Sequence, residues 1–242
     1  MIIDDKLTWR SHINAMKTKM SRYVGILYKI KFQIPVKVRL QIYHSFVQSH
    51  LNYCCLIWGL ACKSLISSLF VKQKKAMRAV MPGFVKYYYK DGELPTGTKS
   101  SFKKYNILTV YSIIAKTILT FMYKYHHRPN SIPLSVRETI DLNSPGSSKS
   151  MDEPNDAILN WYNSLNDHTY QNSLFFKGPL LYSDPQVSDL VTPVLSRECF
   201  KNRAKNTLLE LDHKGDPENW DDSKFLVNEI QGIRKSSRLR KS

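Results

Sequence analysis

A chain of 242 residues, 42% of them apolar, can bury a sizeable core and accommodates one or two domains. Its formal charge of +16 is spread unevenly: residues 1–130 hold 22 Lys and Arg against 4 Asp and Glu, a balance of +18, whereas residues 131–242 hold 14 against 16, a balance of −2. Cations so short of internal carboxylates point to a polyanionic partner, nucleic acid ahead of an acidic membrane surface.

Cys54, Cys55, Cys62 and Cys199 occur in a chain with no secretory signal at its start, so reduced thiols and an intracellular location, cytoplasmic or nuclear, are expected. The most apolar run, residues 107–123, contains Lys116 and falls short of a bilayer span. It reads as a buried helix, and no membrane is expected as a partner. No fixed-period repeat is visible.

In chain order, Ile2-Ile3 before the polar cluster Asp4-Asp5-Lys6 reads as a strand end and a turn. Thr8 is placed to cap a helix over residues 9–31, with Ile13, Met16, Met20, Tyr23, Leu27 and Ile30 on one face and Arg10, Lys17 and Lys31 recurring at multiples of seven on another. Pro35 opens a second helix running to Trp58, whose stripe of Val36, Leu40, Tyr43, Val47, Leu51, Cys54 and Trp58 is continuous and which Gly59 can end. With few charged surface positions, this helix is expected to be the most buried of the first three. A third helix spans residues 64–81 and stops at Pro82-Gly83, with Leu65, Leu69, Ala76 and Val80 inward. Lys72, Lys75 and Arg78 recur every three residues beside Lys74, the densest cationic patch in the chain. On its own such a patch fits a solvated helix face as well as a binding surface.

Residues 82–104 read as a long loop in which lysines alternate with tyrosines. A fourth helix, residues 110–126, is apolar on most sides and is expected to close the core. The Ser, Pro, Gly and Asn content of residues 142–154 marks a boundary near 130–155. Beyond it come a short helix near 155–165, irregular structure through Lys177-Gly178-Pro179, helices at 197–211 and 223–232, and a basic tail at 234–242.

Catalytic signatures are sparse. No phosphate-cradling glycine loop or nucleophile elbow is present. Two-metal chemistry needs carboxylates converging from separated segments, and after Asp4-Asp5 none follows until Asp91, so this pair reads as a turn. His50 and Cys54 share a helix face near Cys55 and Cys62 but lack a closely spaced ligand pair, so neither metal nor cofactor is expected. His126-His127 at a helix end complements the helix dipole.

Several stretches taken together resemble the region just past the palm in reverse transcriptases of non-LTR, LINE or jockey-type retrotransposons. They are Ile3-Asp4-Asp5-Lys6-Leu7-Thr8-Trp9, His12-Ile13, Lys19-Met20-Ser21, Gly25-Ile26-Leu27, Tyr43, Ser49-His50-Leu51-Asn52-Tyr53, Trp58-Gly59 and Gln73-Lys74-Lys75-Ala76-Met77-Arg78. Ile107-Leu108-Thr109-Val110, Phe121-Met122-Tyr123-Lys124, Phe176-Lys177-Gly178-Pro179-Leu180-Leu181 and Phe200-Lys201 are similar to later parts of those proteins. The resemblance implies a mainly α fold: a thumb-like helical bundle with a short N-terminal strand remnant and an irregular, partly helical C-terminal region. Residues 1–8 would be a remnant of the palm and its primer-gripping hairpin, 9–130 a basic thumb-like domain, 131–155 a linker, 156–233 a small helical or irregular region and 234–242 a disordered basic tail.

By the same resemblance, the parent protein would be an RNA-directed DNA polymerase, while this chain lacks the catalytic carboxylates of the palm and is expected to be inactive alone. It is expected to hold an RNA:DNA or DNA duplex through its backbone, independently of sequence and with strong salt dependence, and to pack on a fingers and palm segment. Arg10, Lys17, Lys72, Lys75 and Arg78 are the expected phosphate contacts, with Lys31 and Lys74 behind them. The alternative is a host-adopted DNA-binding or protein-interaction helical module.

Overall fold

A computed structural model describes residues 1–81, 98–142, 182 and 196–214. These residues are mainly α-helical and contain no strand. The first helix, α1 (Arg10–Ile30), buries Ile13, Met16, Met20, Val24 and Leu27 at spacings of three and four. Val24 takes the place expected for Tyr23, which stays half-buried.

The start of α1 departs from expectation. Thr8 lies one residue before the cap position, its hydroxyl accepting the Arg10 amide at 3.4 Å. Trp9 occupies that position in left-handed backbone (φ 60°), and Leu7 is left-handed too (φ 49°). The turn is tied by the Asp4 carboxylate, which accepts the amides of Thr8 at 2.9 Å and Trp9 at 3.0 Å and also the Thr8 hydroxyl. The expected strand remnant is absent from residues 1–8. An extended segment needs a neighbouring backbone to pair with; here Ile2 and Ile3 are exposed, and the Ile2 amide donates instead to His12 Nδ1 at 3.3 Å.

The second helix is broken where the apolar stripe suggested continuity. It runs as α2 (Val36–Ile42), a π-helical turn (Tyr43–Gln48), α3 (Ser49–Asn52) and α4 (Cys55–Trp58). Pro35, extended at ψ 152°, stands just before α2 as its cap. The π turn rotates the stripe, and left-handed Cys54 (φ 51°) then interrupts it, so Cys55 is buried where Cys54 was expected. Gly59 follows α4 in ordinary right-handed backbone. It is required by close approach: a Cβ there would collide with the Cys55 carbonyl oxygen and stand 2.9 Å from Ile114 Cγ1.

α5 (Lys63–Val80) packs along α1 and buries Ile66, Leu69, Phe70, Gln73, Ala76, Met77, Ala79 and Val80, more of its length than the second helix does. The inward stripe of α1 is thereby covered within this chain. Residues 98–104, expected as loop, form α6 (Thr98–Lys104), which packs on α5 with Phe102 buried 6.3 Å from the Phe70 ring. α7 (Val110–His127) carries buried residues on most of its sides, as its composition required.

The chain divides into two units, residues 1–114 with 208–223 and residues 115–207 with 224–242, and the division falls within α7. In the second unit, Tyr123 stacks on Phe200 at 4.2 Å and His126 on Tyr182 at 4.6 Å. That unit also holds a 3-10 turn (Pro129–Ser131) and α8 (Leu134–Leu142), the latter inside the stretch set apart above as a linker. α9 (Arg197–Lys214) forms where a helix was expected. The tyrosine-rich stretch 82–97, the helices expected near 155–165 and 223–232, and the tail 234–242 lie outside the described residues.

Candidate nucleic-acid interface

At about 100° per residue, Lys72, Lys74, Lys75 and Arg78 fall within an arc of about 160° on α5, largely opposite its buried stripe. Lys75 is exposed, and Lys72, Lys74 and Arg78 are half-buried. Lys74 Nζ stands 4.6 Å from the centroid of the Phe70 ring, a cation–π contact that fixes the direction of its stem. No carboxylate of the described residues lies within ion-pair reach of Lys72, Lys74 or Lys75; the ion pair formed between described residues is Lys201 with Glu198 at 2.9 Å, in the other unit.

The seven-residue series on α1 does not stay on one face. A heptad spacing drifts about 20° per repeat on a straight helix. Arg10 and Lys17 lie at the edge of the buried stripe, Arg10 exposed and Lys17 half-buried with its ammonium 3.5 Å from Asn14 Oδ1. Three repeats after Arg10, a drift of about 60° brings Lys31 to the angular position of Ile13. Lys31 is accordingly buried (7% exposed) and donates to the Arg78 carbonyl at 3.3 Å. Burial, with the Arg39 guanidinium adding to it, holds its ammonium below the usual lysine range. Lys31 is thus buried against the backbone of Arg78, whereas the other six sequence-predicted site residues are exposed or half-buried.

Arg39, unforeseen in the sequence because it sits among apolar residues of the stripe, is a second buried cation. Its Nη1 donates to the Met81 carbonyl at 3.4 Å, while Nε has no hydrogen-bond partner among the described residues. Lys31 and Arg39 together satisfy carbonyls at the C-terminal end of α5, where positive charge is favoured. The outer face of α5 is held in place from below by cations that do not themselves reach it.

The carboxylates before α1 have a local role. Asp4 closes the turn already described, and the Thr8 hydroxyl, followed by the Thr8 and Trp9 amides, holds its carboxyl below the usual range although partial burial opposes this. Asp5 Oδ1 accepts the Lys6 amide at 3.1 Å. No group of three His, Cys, Asp or Glu among the described residues is arranged to hold a metal ion, and no helix among them is long and apolar enough to cross a membrane.

No family model matches the chain, and no solved structure does. Over 83 residues, 33% of its length, the chain is 28% identical to a probable RNA-directed DNA polymerase from transposon X-element of Drosophila melanogaster, and it spans 9% of that protein. A third of this sequence is therefore similar to part of a transposon reverse transcriptase.

Proposed function

We propose that the chain is the duplex-holding, thumb-like part of a retrotransposon RNA-directed DNA polymerase and grips primer and template through phosphates, without a polymerase site of its own. The outer face of α5 carries the reading: Lys72, Lys74 and Lys75 form a cationic surface with no carboxylate among the described residues in reach, and Arg78 extends it. Arg10 and Lys17 on α1 supply a second row. Lys31 acts by holding the end of α5. The similarity to a transposon polymerase supports the choice of a nucleic-acid duplex over other polyanions.

Such a grip reads charge and spacing, not bases. Neutralising a lysine that contacts phosphate lowers the slope of log K against log salt by about 0.9. The Lys72→Gln/Lys74→Gln/Lys75→Gln variant is expected to bind an RNA:DNA or DNA duplex more weakly at low salt, with a slope lower by about 2 to 3. Parent-like binding by the triple variant at every salt concentration would remove α5 from the interface.

A further inference from the structure

A separate cleft of about 370 Å³ opens between the N-terminal segment, α1 and α3. It is lined by the apolar Met1, Ile2, Ala15 and Met16 and by the polar His12, Lys19, Ser49, His50 and Tyr53. None of the lining residues is a carboxylate. The cleft therefore favours a ligand that is flat and apolar in one part and anionic in another.

Two features build this surface. The break after α3 places Tyr53 in extended backbone (ψ 119°), and the Trp58 indole donates to the Tyr53 carbonyl at 2.6 Å. With left-handed Cys54 next to it, this turn holds the Tyr53 ring outward, 58% exposed. Strained backbone that presents an exposed aromatic ring is more characteristic of sites than of scaffolding. On the other side, the His50 ring meets Tyr23 edge-on at 5.5 Å, and Tyr23 packs against Phe46 at 5.1 Å, which fixes the imidazole. His12 Nδ1 accepts the Ile2 amide, so the neutral ring carries its proton on Nε2 as a donor. Burial, with the Lys19 ammonium adding to it, favours that neutral form.

We propose that this cleft is a nucleotide site that takes one unpaired nucleotide, its base against Tyr53 and His50 and its phosphate at Lys19 and His12. A cleft of a few hundred Å³ matches a ligand of this size and is too small for a duplex. Aromatic stacking beside a cation is the chemistry by which unpaired bases are held without sequence preference. The site shares no residue with the cationic face of α5, so the two readings succeed or fail separately.

The test uses the full chain, a fluorescein-labelled ten-nucleotide single strand, a blunt duplex and adenosine monophosphate as competitor. Tyr53→Ala is expected to weaken single-strand binding roughly tenfold, with the ratio to parent constant across salt because stacking is not screened. Tyr53→Phe keeps the ring and is expected to bind like the parent, while Lys19→Gln weakens binding chiefly at low salt. Duplex binding is expected to be unchanged by Tyr53→Ala and reduced by the α5 triple variant. Tyr53-dependent displacement by adenosine monophosphate assigns the cleft to a free nucleotide, and displacement by oligonucleotides alone assigns it to a strand; either outcome supports nucleotide chemistry. Equal single-strand affinity of Tyr53→Ala and parent, with matching circular dichroism, overturns the proposal.

Discussion

The fully buried Gln73 carboxamide ties three elements of the first unit: Nε2 donates to Tyr43 Oη at 3.0 Å and to the Leu108 carbonyl at 2.9 Å, and Oε1 accepts the Val110 amide at 2.8 Å. The Val110 amide is one of the donors that the first turn of α7 leaves without a helical partner. Gln73→Leu keeps similar bulk but strands a phenol, a carbonyl and an amide, and is expected to cost about 3 kcal/mol, measured from urea denaturation midpoints. Tyr43→Phe removes a single hydrogen bond and is expected to cost about 1 kcal/mol. Equal losses would show that Tyr43, not Gln73, anchors the network. Asp4 allows a pH prediction. Its folded pKa is depressed, so its contribution is fully present above the ordinary value of 3.8 and is lost as pH falls below that value through the folded one. Asp4→Asn is expected to flatten the stability profile in that acid window and leave its shape near neutrality alone. Gln73 sits in sequence directly between Lys72 and Lys74, and nothing local separates a buried amide from a basic surface. Only the apolar spacing of its neighbours Leu69, Ala76 and Val80 places it inward.

Period-based reading worked for elements whose geometry is regular. α1 and α7 each lie within about one residue of expectation, because one helical period runs through each without interruption. The stripe from Val36 to Trp58 is just as periodic, yet its chain path changes twice. A π turn has no compositional signature, and its extra residue is hidden by the tolerance of three-and-four spacing. The break at Tyr53-Cys54 is equally silent, because cysteine carries none of the preference for left-handed backbone that glycine or asparagine would advertise. The identity of that residue is therefore testable. Cys54→Gly relieves the left-handed strain and is expected to raise stability by about 1 kcal/mol, whereas Cys54→Val, β-branched at φ 51°, is expected to lower it by about 1 to 2 kcal/mol. Thermal midpoints of the two variants moving in the same direction would mean that packing of the half-buried Cys54 side chain outweighs its backbone.

For the molecule as a whole, the question is whether a partner responds to total charge or to its placement. The imbalance between the halves was legible from composition, but composition does not say which cations a fold will absorb; Lys31 and Arg39 are absorbed, and the outer lysines of α5 are not. Two triple variants of equal charge separate the possibilities. Lys72→Gln/Lys74→Gln/Lys75→Gln and Arg22→Gln/Lys29→Gln/Lys37→Gln each take the chain from +16 to +13. Arg22, Lys29 and Lys37 are all exposed, and the first two lie on α1 roughly opposite its buried stripe, away from the α5 packing face. If duplex binding follows net charge, both variants lose the same affinity and the same salt slope. If the α5 face is the interface, counterions are released only where phosphates sit, so the first variant loses about 2 to 3 in slope and the second less than about 1. Duplex affinity measured between low and physiological salt reads this directly. The difference in slope is also insensitive to small losses of stability, since a partly unfolded population scales the affinity at every salt concentration without changing how many phosphates the folded protein neutralises.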